Sequence, residues 1–163
     1  MCKRLFFLIS IVLVLGFALA PAMGVETTLL SDSFESEPFT NWDDTNSTDW
    51  YRSADGNGHS GSYSAESTDL KEGDLICDPL NTSDADIIKL DFWFYDTGMG
   101  MNDFQPMALR DGSVWQVIRP DLAAMTPAGT WNHYTCGFID SNYFQPNFQI
   151  NLYSSALGTD YLW

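Results

Sequence analysis

Residues 86–96 alternate with a period of two. Ile88, Leu90, Phe92 and Phe94 fall on one side, and Lys89, Asp91, Trp93 and Tyr95 fall on the other. Side chains two apart share a face only in an extended strand, so this stretch predicts a strand with one buried face rather than a helix. Similar runs recur between turn clusters. Residues 106–110 and 113–119 flank Asp111-Gly112, a dipeptide suited to the positive φ angles of a tight hairpin. Residues 130–138 read as a further strand. In residues 148–153, Phe148, Ile150 and Leu152 are expected inward, with Gln149, Asn151 and Tyr153 outward. Residues 61–67 form a shorter strand after the Gly-rich loop 55–61. Residues 121–128 lie between Pro120 and Pro127 and read as loop. Many short strands without a convincing helix imply an all-β fold, a two-sheet antiparallel β-sandwich.

Residues 1–24 read as a cleavable signal helix. Lys3 and Arg4 precede an apolar run broken only by Ser10 and Gly16, and small residues follow at Ala18, Ala20, Ala22 and Gly24. The run is short for an uncleaved membrane anchor, which needs about 20 residues. Cleavage after Gly24 leaves residues 25–163 as one secreted or surface module, a length that suits a single core. Cys2 leaves with the signal. Cys77 and Cys136 remain in an oxidising compartment, either as a disulfide or as free buried thiols. Asn46 and Asn81 head glycosylation sequons. The chain carries 22 acidic residues against 7 basic ones, a net charge of −15. Such a surface repels nucleic acid and anionic membranes, so partners should be neutral or cationic: glycans, polar protein surfaces or metal ions. The same charge also serves solubility.

Several short motifs come in a recognisable order. Phe34-Glu35 is followed by Trp42, then by Asp49-Trp50. Next come residues 58–65, Gly-His-Ser-Gly-Ser-Tyr-Ser-Ala, and the aromatic strand Leu90-Asp91-Phe92-Trp93-Phe94-Tyr95. Gly129-Thr130-Trp131 opens a strand, and Phe148-Gln149-Ile150-Asn151-Leu152 lies near the end. In this order and spacing the chain resembles the MAM-type and related carbohydrate-binding jelly rolls of extracellular proteins. The resemblance spans residues 30–163. It implies a jelly roll of the concanavalin or galactose-binding kind. It also implies a structural calcium ion that ties the first strand to the last, held by Glu35 and Asp32 with loop oxygens from Asp55 and Asn57. On composition alone, residues 55–58 are an ordinary turn. Such families close on a strand bearing Asp residues, whereas this chain stops at Leu162-Trp163, so the module is expected to lack its final strand. The cysteine pattern of animal MAM domains is also missing, and their receptor role does not transfer.

Trp93 and Tyr95 on one strand, with Gln149, Asn151 and Tyr153 on another, form the expected ligand platform. Rings stack on the apolar faces of sugars, and amides bond hydroxyl groups. The competing reading buries these rings between the sheets. Trp42, Trp50 and Tyr51 either rim a site or plug the end of the core. No catalytic constellation is legible. Only His59 and His133 supply imidazoles, no Gly-x-Ser-x-Gly elbow occurs, and the His and Cys residues are too scattered for zinc. The expected function is therefore non-catalytic binding of a carbohydrate or of a cell-surface or matrix partner. The alternatives are a structural or adhesion domain without a glycan site, and a domain associated with a hydrolase.

Overall fold

A computed structural model describes residues 26–36, 39–44, 50–54, 58–68, 72–155 and 161–162. The expected signal segment, residues 1–24, lies outside them. None of the described helices is long and apolar enough to cross a membrane. Among the described residues there are ten strands in chain order: β1 (Trp42–Asp44), β2 (Trp50–Ser53), β3 (Ser64–Thr68), β4 (Gly73–Cys77) and β5 (Ile88–Tyr95) come first. β6 (Phe104–Arg110), β7 (Val114–Val117), β8 (Trp131–Phe138), β9 (Ile150–Ser154) and β10 (Tyr161–Leu162) follow. Short 3-10 turns occupy Ala123–Met125 and Ser141–Tyr143. The first of these falls in the segment expected as loop. Every pairing between strands is antiparallel.

One sheet has five strands in the order β1-β4-β9-β6-β7. Two smaller sheets, β10-β3-β2 and β5-β8, contribute to the facing layer. The alternation expected in β5 is observed: Phe92 and Phe94 turn inward and meet Phe104 of β6, with ring centroids 6.1 and 5.5 Å apart. Trp50 and Ala65 from the three-stranded sheet join Leu75, Phe94 and Phe104 in one core cluster. Cys77, Ala108, Phe138, Phe148 and Ile150 form a second. Sandwich cores are built in this way from the inner faces of both layers. Trp50 thus plugs the core and does not rim a site. Its indole N–H donates to the Gly73 carbonyl at 3.2 Å, which satisfies the one polar atom it buries.

The hairpin at Asp111-Gly112 forms as expected. Asp111 has φ 52° and Gly112 has φ 66°, and Ser113 N–H closes the turn onto the Arg110 carbonyl at 3.2 Å. Arg110 faces Val114, so Ser113 is one residue more than a two-residue loop needs. β6 begins two residues before the expected start and carries Pro106 inside it. The Pro106 carbonyl accepts from Ile118 N–H, just beyond the end of β7. Its missing N–H lies on that same side, so the ladder loses a bond only where β7 stops.

Of the two readings of Cys77 and Cys136, a disulfide or free thiols, the structure has the second: both are free. Cys77 is on β4 and Cys136 on β8, in opposite layers. The Cys77 sulfur accepts from Ile150 N–H at 3.0 Å. Burial pushes both thiol pKa values up, which keeps them protonated and unreactive at neutral pH.

Candidate functional site

The five residues expected to form one platform are divided between the two layers. Ile150 and Leu152 pack into the core, so Gln149, Asn151 and Tyr153 lie on the outer face of the five-stranded sheet. Phe92 and Phe94 are equally inward, so Trp93 and Tyr95 lie on the outer face of β5-β8, across the sandwich. No single ligand-binding face holds all five.

On the five-stranded sheet, register decides the neighbours. Asn151 sits between Ile76 of β4 and Met107 of β6; Tyr153 sits between Asp74 and Gln105. Trp115 and Val117 of β7 continue the same face beside Leu109 and Met107. Although it points away from the core, Asn151 is only 2% exposed. β9 is the middle strand of five, so side chains from both neighbours close over it, and the expectation of an outward, open Asn151 is corrected to a buried floor residue. Its Nδ2 donates to Asp74 Oδ1 at 2.5 Å. Its Oδ1 is buried with no hydrogen-bond partner among the described residues. An unsatisfied buried acceptor of this kind costs about 1–3 kcal/mol, so it calls for a donor.

Beside it, burial raises the Tyr153 hydroxyl pKa, and the nearby Glu72 carboxylate, which also hydrogen-bonds the hydroxyl, raises it further. Gln149 Nε2 donates to the Cys77 carbonyl at 2.8 Å, and Gln105 Nε2 to the Asn102 carbonyl at 2.7 Å. Asp43 stands on the outer side of β1, opposite Ile76. None of the strand residues on this face is Lys or Arg. Sequence reasoning missed Glu72, Asp74, Gln105 and Met107. The alternation of Asp74 and Ile76 with Leu75 and Cys77 marks β4 as a strand, but nothing local says that β4 lies beside β9.

The opposite face is aromatic and is partly covered by the chain itself. His59 stacks on Trp93 at 4.0 Å, and His133 stacks on it at 4.6 Å. His59 also meets Trp131 edge-on at 5.2 Å, and Trp131 meets Tyr95 at 5.7 Å. Trp93 remains 45% exposed. His133 Nε2 lies 2.9 Å from Asp91 Oδ1, and Lys89 Nζ lies 3.3 Å from Asp91 Oδ2. The hydrogen bond from His133 is the main cause of a lowered Asp91 pKa, with Lys89 adding to it. An aspartate with a lowered folded pKa stabilises the fold above its unfolded value, near 3.9, and that contribution is lost as pH falls through the folded value. His133→Ala should therefore shift the Asp91 titration upward toward the ordinary value, read by NMR of the side-chain carboxyl carbon. An unchanged titration would show that His133 does not control Asp91.

Two of the residues expected to hold calcium, Glu35 and Asp32, are engaged with the chain. Glu35 Oε1 accepts from Ser62 N–H at 2.9 Å and from Tyr63 N–H at 3.0 Å. Arg52 donates to the carbonyls of Phe34 and Glu35, at 2.7 Å each, and lies over the Tyr63 ring. Asp32 Oδ1 accepts from Phe34 N–H at 2.8 Å; Oδ2 faces Asn41 Nδ2 and Trp42 Nε1 at 3.3 and 3.2 Å. Asp55 and Asn57 lie outside the described residues. Among those described, no group of three or more His, Cys, Asp or Glu could hold a metal ion. At Glu35 and Asp32 the positive ends of N–H groups and a guanidinium occupy this corner.

Solved structures share this arrangement of sheets. The CBM22-1 xylan-binding domain of Xyn10C from Paenibacillus barcinonensis superposes with a TM-score of 0.60 at 15% identity, covering 86% of this chain and 92% of that one. TmCBM61, solved with β-1,4-galactotriose, gives 0.58 at 11% identity, covering 84% and 93%. The chain has the jelly-roll β-sandwich fold of carbohydrate-binding modules. No protein-family model matches it, and no curated protein does. At these identities the likeness is one of fold.

Proposed function

We propose that the chain is a secreted, non-catalytic carbohydrate-binding module whose glycan lies across the outer face of the five-stranded sheet. The observation that carries this reading is the buried, unpartnered Oδ1 of Asn151, held in place by the bond from its own amide to Asp74. A sugar hydroxyl is a donor that satisfies it once the neighbouring side chains that close over Asn151 move aside. Tyr153, Trp115 and Met107 offer apolar surface around this polar floor, the combination that fixes a ligand's orientation. The ligands of the two similar structures, xylan and a galactotriose, support the class. Export from the cell would place the module where polysaccharides are.

The test is retention in affinity electrophoresis through gels containing soluble xylan or galactan. Asn151→Ala should weaken retention at least about tenfold, the equivalent of about 1.4 kcal/mol. Tyr153→Phe should weaken it less. Trp93→Ala, on the opposite face, should leave it unchanged. Equal retention of Asn151→Ala and the parent, with both folded, would remove the site from this face. Loss of retention in Trp93→Ala would move it to β5-β8.

A further inference from the structure

Resting on the glycan reading above, the geometry points to a narrower ligand class: the floor selects glycans that present hydrogen-bond donors, neutral or ammonium-bearing, and rejects those bearing carboxylates or sulfates. The argument concerns which end of each amide is available. Asn151, Gln105 and Gln149 supply three side-chain amides to this face. Each nitrogen is anchored to an acceptor of the chain: Asp74 Oδ1, the Asn102 carbonyl and the Cys77 carbonyl. Flipping any of them would set oxygen against oxygen, so the orientations are dictated by their neighbours. The carbonyl ends of the half-buried Gln105 and Gln149 are therefore the ends left for a ligand, with that of Asn151 beneath its neighbours as a further acceptor once they move aside. Asn151 Oδ1 is already known to be buried and unpartnered.

The ionisable groups act in the same sense. Asp74 and Glu72 are carboxylates, which accept and do not donate when ionised. Tyr153, the one hydroxyl among these residues, is engaged with Glu72 and Ser155. Asp43 adds a further negative charge at the β1 edge, and no Lys or Arg stands on the strands of this face. A uronate or sulfate group brought here would meet acceptors and like charge with no Lys or Arg on the described strands to pair with, which is how a site discriminates through repulsion. A hydroxyl donates its proton to any of these oxygens. An ammonium group donates and is also attracted.

Three probes separate the outcomes with the purified protein: linear β-1,4-xylan, chitosan oligomers and polygalacturonate, measured by calorimetry at low salt. Xylan and chitosan should bind, and polygalacturonate should bind at least tenfold more weakly than xylan. Asp74→Asn should narrow that gap several-fold and reduce the salt sensitivity of chitosan binding; Glu72→Gln should do the same to a smaller degree. Polygalacturonate bound as tightly as xylan would overturn the selectivity and leave the glycan reading standing. A parent-like gap in both variants would overturn the role given to the carboxylates. No binding to any of the three would instead defeat the glycan reading itself.

Discussion

Phe94→Ala should remove about 3–5 kcal/mol of folding stability, the range for deleting a buried aromatic ring. Phe94 is 2% exposed and stands where the two layers meet, its ring 5.5 Å from Phe104 and 6.0 Å from Phe92. No neighbour can move into the space it leaves without breaking strand alternation. Domains of this size are stable by about 5–15 kcal/mol, so the variant would sit close to unfolding at ambient temperature. Urea denaturation followed by tryptophan fluorescence reads the change directly. Trp93→Ala, one residue away on the same strand, removes a larger ring from the half-exposed outer face and should cost clearly less. If the two variants cost the same, β5 does not have one buried and one open face, and the layer assignment fails.

Gly61→Ala should cost about 1–2 kcal/mol through a single atom. A Cβ at residue 61 would stand 2.1 Å from Glu35 Oε1, so the carboxylate must swing away. It would then lose both amide donors, Ser62 and Tyr63. Bonds to a charged acceptor contribute about 1.5–3 kcal/mol each when shielded, and less at an exposed corner such as this one. Glu35→Ala should show a similar loss. Thermal melts in chelator and in millimolar-scale calcium then decide what holds the segment before β1. If the amides and Arg52 do, both variants lose the same stability in either buffer. If calcium stabilises the parent and the gain disappears in Glu35→Ala, the ion is the tie and the reading of this corner is wrong.

The Gly-His-Ser-Gly-Ser-Tyr motif illustrates how a sequence signal can be right about place and incomplete about cause. The resemblance implied a junction between Glu35 and the Gly-rich loop before it, made through a calcium ion. The structure supplies the means: close approach at Gly61, then two backbone donors aimed at one carboxylate. His59, in the same motif, goes elsewhere and stacks on Trp93. The local pattern contained no indication of that contact, because Trp93 belongs to a strand more than thirty positions away.

What the chain reveals unaided is local: a strand's period of two, a dipeptide that tolerates positive φ, the inward set of β5. Each depends on residues within a few positions of one another, and backbone sterics are sufficient to decide them. The ligand face is of another kind. Asn151 meets Asp74 across 77 positions, and Tyr153 is separated from Trp93 by the thickness of the sandwich, because packing and register choose which strands become neighbours. A one-residue slip in that register would exchange every floor residue for a core residue. Side-chain chemistry was therefore readable from the sequence, while its assembly into a site belonged to the tertiary structure.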